Sequence, residues 1–362
     1  MKHGKPVKHE SMPSICHINL ARNPKLRGGE RQTEILIQTL AEQGVLKQYI
    51  VVLRKGPLAR RFKECHNLKV FKVRNRLSAL FICLALNNKT LLHAHETHAA
   101  QVAYVASLCR KTYIVTRRVI NPIKPKAFTC AMYRNAHTVV ALTRAVENSI
   151  RSRLPDISIV RIPSAWNPGS PDMKAVKKIR DQFKGEFLIG YAGAMDGPEK
   201  GHLILLESAR IIQPAFPKIK FVLLGSGLLE EEFRRQSKDL SNVYFAGWVS
   251  DPITWIAAFD IFAFPSLREG LGSVLLDVLR AGCPIVASHV GGVPEVITKD
   301  CGILVPPKDA KALTEQLVHL YQTSSLRTQL KTAGIARSFH FSPELMAQRY
   351  MEVYMSIFKS PA

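Results

Sequence analysis

Short apolar runs alternate with stretches of helical spacing along this entire chain, and that alternation constrains its fold more than any other feature. The runs fall at 14–20, 49–53, 68–73, 90–94, 113–116, 138–142 and 157–162, then at 187–192, 221–224, 243–247, 260–264, 285–287 and 302–305. Helical patterns separate most of them, as at 30–43, 77–86, 99–109 and 144–153. In the first of these, Ile35, Leu36, Thr39 and Leu40 share one side and Gly44 marks the stop. Strand and helix in strict alternation are the pattern of a doubly wound parallel sheet, an α/β fold. At 362 residues the chain exceeds what one hydrophobic core usually organises, so two such domains are expected. The segment 162–171, rich in Pro, Ser, Asn and Gly, is the expected hinge between them.

Composition narrows the class. The seven cysteines stand singly, with no C-x-x-C pair, and most lie inside apolar patterns. Reduced, buried thiols are therefore expected, and with them a cytoplasmic location. No apolar run approaches the roughly 20 residues that span a bilayer. The start, residues 1–14, is basic but has no apolar core, so it reads as a disordered tail and not as a secretory signal. The net charge of +23 is concentrated in one half. Residues 1–168 carry 29 Lys and Arg against 8 Asp and Glu, a net +21, which leaves +2 for the rest. Such a field suits an anionic membrane surface, a phosphorylated acceptor or nucleic acid. The nucleic-acid reading rests on charge alone: the basic residues are not interleaved with aromatics, and no nucleic-acid module is visible.

Chemistry concentrates in residues 264–297. A strand ending at Phe264 runs into Pro265, then the loop Glu269-Gly270-Leu271-Gly272. Ser273 is the expected N-cap of a helix that Gly282 stops, and a second strand leads to Gly291-Gly292-Val293-Pro294-Glu295. Both glycine loops would sit at the carboxyl ends of neighbouring parallel strands, where open α/β sheets bind ligands. Helix capping is the plain alternative for Asp277, an acid in a first turn.

Four further segments carry polar groups to strand ends. Gly28-Gly29 enters the first helix, an arrangement that can present N–H groups to a phosphate. His93, His95 and His98 follow H-x-H-x-x-H, close to a metallo-β-lactamase-type motif, but Thr97 stands where that motif needs Asp. Strand alternation places His93 and His95 on one side, so one of them can serve in packing alone. Arg117-Arg118 ends a strand, with planar donor forks suited to phosphate or carboxylate. Gly225-Ser226-Gly227 is followed by Glu230 where a dinucleotide fingerprint needs a third glycine, so that motif is broken.

Together these stretches resemble the retaining nucleotide-sugar glycosyltransferases of family 4 (glycosyl transferases group 1), especially those building bacterial cell-envelope and lipopolysaccharide-core glycans. The resemblance rests on Pro265-Ser266, Glu269, Asp277 in place of a second Glu, 282–287 as Gly-x-Pro-x-Val-Ala, and the Gly291 to Glu295 loop. It extends to Gly28-Gly29-Glu30-Arg31, one residue shorter than the family's Gly-Gly-x-Glu-Arg, and to Gly193 followed by Lys200-Gly201, where Ala194 replaces the usual Arg. It implies a GT-B architecture, with two Rossmann-like domains facing a cleft. Residues 12–167 plus 343–362 would form the acceptor domain, its last helix crossing back, and 168–342 the nucleotide-sugar domain.

The implied reaction moves a sugar from a nucleoside-diphosphate donor to a lipid-linked or core-type glycan acceptor, with no cofactor or metal. His95, Glu269 and Lys200 would be catalytic. Gly28, Gly29, Gly193, Lys200, Glu269, Gly270, Leu271, Gly272 and Asp277 would bind the donor, and Glu96, His98, Arg117 and Arg118 the acceptor. The expected place is the inner face of the cytoplasmic membrane, held peripherally by charge, with no nucleic-acid partner. A GT-B epimerase or hydrolase is the nearest alternative, and a basic nucleic-acid-binding protein a more distant one.

Overall fold

The computed structural model of the protein describes residues 12–22, 26–62 and 67–359. The expected basic tail before residue 12, the loop residues 23–25 and Cys65 lie outside the described residues. Among the described residues thirteen strands form, at the thirteen apolar runs. They are β1 Ser14–Asn19, β2 Lys47–Leu53, β3 Leu68–Val73, β4 Leu91–Ala94, β5 Tyr113–Arg117, β6 Thr138–Ala141, β7 Ile159–Arg161, β8 Phe187–Ala192, β9 Ile219–Leu224, β10 Val243–Gly247, β11 Ile261–Phe264, β12 Ile285–Ser288 and β13 Ile303–Val305.

Two all-parallel sheets result. The first has the order β3-β2-β1-β4-β5-β6-β7 and the second β10-β9-β8-β11-β12-β13. In each, the chain reverses its direction of winding beside the first strand, between β1 and β4 and between β8 and β11. A crevice opens at the carboxyl ends of the strands at such a switch point. Inner strands such as β4, β5, β6, β11 and β12 are buried throughout and for that reason read as continuous apolar runs, whereas the edge strands β3, β7 and β10 expose polar or aromatic residues.

Helices cover both faces of each sheet. The final helix, Pro343–Lys359, leaves the second domain and packs on the first. Its Met346, Ala347, Tyr350 and Tyr354 are buried with Ile15, Ile35, Leu40, Leu91 and Ile114 in one apolar cluster. The linker 162–171 forms no regular element, as its composition suggests, yet it is pinned. Gln32 donates to the Ala165 carbonyl and accepts from its N–H, and Trp166 N–H donates to the Phe341 carbonyl.

Two helix starts differ from expectation. The first helix spans Gly28–Gln43, so the glycine pair forms its opening turn and not the loop before it. Their N–H groups are then among those a helix leaves unpaired. In the second domain Gly272, not Ser273, is the N-cap of the helix Ser273–Ala281. Its φ of 81° turns the 269–272 loop sharply into the helix, a conformation glycine adopts without steric cost.

Candidate active site

The two switch points face each other, and their loops interlock. Gly28 lies so close to the helix start of the other domain that a Cβ there would come within 3.0 Å of the Ser273 Oγ. A Cβ on Gly29 would contact the Arg118 side chain at 3.5 Å, and one on Gly270 would strike the Arg118 carbonyl at 2.5 Å. Thr143 Oγ1 donates to the Gly270 carbonyl at 2.8 Å. Arg27 reaches Asp196, in the loop after β8, at 2.9 Å. The Gly28-Gly29 turn, the 193–200 loop and the 269–272 loop therefore meet across the boundary between the domains.

On the second domain's side, Lys200 Nζ donates to Glu269 Oε2 at 2.6 Å. Lys200 ends a short turn of 3-10 helix, Pro198–Lys200, and Gly201 begins the helix His202–Ile212. The Lys200 carbonyl is held by the Tyr191 hydroxyl at 3.2 Å. Burial, with Glu269 nearby, pushes the Tyr191 phenol well up, so it stays a neutral donor. A cation and a carboxylate paired at the mouth of a helix-rich pocket can neutralise a departing diphosphate and meet sugar hydroxyls.

Asp277, expected to meet the donor ribose, reaches the linker. Its Oδ1 accepts the linker N–H of Asn167 at 2.7 Å. Burial raises its pKa to about 6, against the opposing pull of the Asn167 N–H and the Arg31 charge. Being one methylene shorter than Glu, the side chain ends at the hinge.

On the first domain's side, three imidazoles converge. His17 on β1 pairs in register with His93 on β4, and His95 follows two residues on. The rings of His93 and His95 lie 3.8 Å apart. His17 Nδ1 and His95 Nε2 share a hydrogen bond of 3.0 Å, and His17 Nε2 meets Gln48 Oε1. His93 bonds the Tyr354 hydroxyl at 2.8 Å and Thr116 at 2.7 Å. Burial holds all three below the ordinary imidazole range, His17 at about 3. Their nitrogens lie within 4.8 Å of one another, a spacing that a metal ion could bridge. Five of the six ring nitrogens are already paired, however, so an ion would have to break these bonds. The sixth, His95 Nδ1, is buried and has no partner among the described residues. His98 does not join this cluster. It stands at the start of the helix Thr97–Ser107, beside Arg76 and Gln101.

Two expected acceptor contacts are spent inside the fold. Glu96 caps the helix Thr97–Ser107, its carboxylate accepting from His98 N–H at 2.5 Å and Ala99 N–H at 2.6 Å, and also from Leu20. Arg117 is buried on the Tyr133 ring, donating to the Tyr133 hydroxyl at 2.8 Å and to the Asn121 carbonyl. Arg118, one residue on, turns to the opposite side toward Gly29 and the histidines. Sequence reasoning missed His17 and Thr143. Only the β1–β4 pairing and the closure of the domains bring them to the site.

Residues 186–323, which hold β8–β13 and both glycine loops, match the family described as glycosyl transferases group 1. The chain carries a glycosyl transferases group 1 domain. Around that domain, similarity to curated proteins is moderate. A GDP-mannose-dependent monoacylated α-(1-6)-phosphatidylinositol monomannoside mannosyltransferase of Corynebacterium glutamicum is 30% identical over 202 residues, 53% of each protein. A lipopolysaccharide core biosynthesis glycosyltransferase, LpsE of Rhizobium meliloti, is 29% identical over 163 residues, covering 43% of this chain and 46% of that protein. The chain thus spans about half the length of these curated relatives. The group 1 domain and its N-terminal partner superpose on Anabaena HepE, solved with UDP and glucose, with a TM-score of 0.80 over 95% of this chain and 99% of that one, at 18% identity. Sucrose-phosphate synthase from Thermosynechococcus elongatus gives 0.82 over 95% and 99%, at 19% identity. The architecture is GT-B.

Proposed function

We propose that this chain is a retaining glycosyltransferase that moves a sugar from a nucleoside-diphosphate donor to a lipid-linked or lipopolysaccharide-core-type glycan. The observation that carries the reading is the Lys200–Glu269 pair, set beside the 269–272 loop and a helix start inside a group 1 domain. Lys200 and the N–H groups at 270–272 would take the diphosphate charge as the glycosidic bond breaks. Glu269 would hold donor-sugar hydroxyls. His95, presenting its one unpaired nitrogen, would face the reacting sugar or the acceptor hydroxyl. None of these roles calls on a metal or cofactor. Relatives named for phosphatidylinositol mannosides and for lipopolysaccharide core support a lipid-linked acceptor.

A peripheral membrane site has its own support. No helix of the described residues is long and apolar enough to cross a membrane. The helix Arg76–Ala85, on the +21 half, exposes Leu77 at 65% and Phe81 at 70%, four residues apart on one face. Arg74 and Arg76 are exposed beside them. Apolar side chains ringed by arginine suit an anionic leaflet on the cytoplasmic side.

The test incubates the enzyme with a panel of nucleoside-diphosphate sugars and an envelope lipid extract, then reads products by mass spectrometry and anomeric configuration by NMR. Transfer with retained configuration is expected. Release of an epimer or of free sugar, without transfer, would overturn the reading.

A further inference from the structure

Ala194 removes a cation from the loop after β8, and the first domain holds one with nothing to do. Arg118 makes no hydrogen bond or ion pair among the described residues, and its Nε is buried without a partner. An unmet buried guanidinium donor is costly, so an arginine held this way awaits an anion. Its neighbour shows the contrast: Arg117 is fully engaged by Tyr133 and Asn121.

Position narrows the anion. The Arg118 side chain runs across Gly29, whose Cβ position would be 3.5 Å from its Cδ and 4.0 Å from its Nε. Its carbonyl rests on Gly270, and Gly28 touches Ser273. Arg118 is thereby wedged between the starts of a 16-residue helix and a 9-residue helix, Gly28–Gln43 and Ser273–Ala281. Burial lowers its pKa somewhat, yet a guanidinium stays protonated. The other cations nearby are less free. Arg27 is paired with Asp196, and Lys200 with Glu269.

Resting on the donor reading above, we infer that Arg118 is a diphosphate-binding residue, supplying from the acceptor domain the charge that Ala194 leaves out of the donor domain. The β-phosphate would lie between the Arg118 fork, the Gly28-Gly29 N–H groups and Lys200. A cation on the opposite domain also makes donor binding and domain closure one event, because the diphosphate then touches both halves. The sequence had suggested Arg118 for the acceptor. Its contacts with Gly29 and Gly270 move it to the donor side.

Calorimetric titration of UDP against UMP, and of GDP against GMP, reads the diphosphate contact without any acceptor. Wild type is expected to prefer the diphosphate of one pair. Arg118→Ala should lose about tenfold or more of that preference, the scale of one charge-assisted hydrogen bond, while monophosphate affinity holds. Arg118→Gln, which keeps the side chain's bulk, should lose as much if the alanine variant does not fold. Adding Ala194→Arg to either variant should restore the preference, a rescue that a packing role would not give. An unchanged diphosphate-to-monophosphate ratio in the folded Arg118 variants overturns the inference while leaving the donor reading intact. Failure of the wild type to bind either diphosphate overturns the donor reading itself.

Discussion

The Glu295 carboxylate accepts the backbone N–H of Arg144 through both oxygens, at 2.8 and 3.1 Å, across the boundary between the two domains. It thereby caps the helix Arg144–Arg151 of the first domain from a loop of the second, beside the Thr143 side chain that caps it locally. With the Thr143 contact to Gly270, this bond ties both glycine loops of the second domain to the first. Charge-assisted caps of this kind contribute about 1.5–3 kcal/mol. Glu295→Ala should therefore open the cleft and slow turnover about tenfold, leaving each domain folded. Small-angle scattering should show a larger radius of gyration for the variant; an unchanged radius with full activity would rule out a latch.

Lys200→Ala should cost about 10²-fold in turnover, the scale for one preorganised donor at a developing negative charge. Lys200 is about one-third exposed and its partner mostly buried, so the pair adds little to stability. The melting temperature should move little. Turnover like wild type, with folding intact, would remove Lys200 from the chemistry.

Asp277 titrates near 6 in the fold, above its unfolded value near 3.9. A carboxyl raised in this way binds its proton more tightly when folded, so stability falls as pH rises from about 4 to above 6. Asp277→Asn should gain on the order of 3 kcal/mol over wild type at pH 7.5 and nothing at pH 4, as denaturant unfolding would show. A rise in donor KM at constant kcat in Asp277→Ala would mark the ribose contact instead.

The imidazoles carry the opposite sign. His17, His93 and His95 are neutral in the fold and take protons on unfolding below about pH 6.5. Each should cost about 1.4 kcal/mol per pH unit as the solution is acidified from there toward the folded value. His17→Gln should reduce that slope by about one proton's worth. Parallel slopes for variant and wild type between pH 6 and 4 would contradict the buried neutral state.

Sedimentation with liposomes should show binding that rises with anionic lipid and fades with salt, since the Debye length is about 8 Å at physiological ionic strength. Replacing Leu77 and Phe81 together by Ser should weaken that binding several-fold. Equal binding to neutral and anionic vesicles, or none to either, would sink the membrane reading.

What the sequence determined by itself was local. The inner strands, β4, β5, β6, β11 and β12, are buried on both faces, so their apolar runs mark them without reference to any partner. The loops at 269–272 and 291–295 announce themselves through glycines whose backbone must approach other groups closely, and Lys200-Gly201 through its place at a helix entry. Tertiary structure decided which polar residues share a space. Parallel register set His17 level with His93, although 75 residues of chain lie between them, and no periodicity reports on register. Arg117 and Arg118 look equivalent as letters, but neighbouring residues at a strand end point to opposite sides, one into a packed ring and one into the cleft. Asp277 meets the linker and Glu295 caps a helix of the other domain because the two domains close on each other. Closure depends on how two rigid bodies fit, and that fit is written in surfaces rather than in any local run of residues.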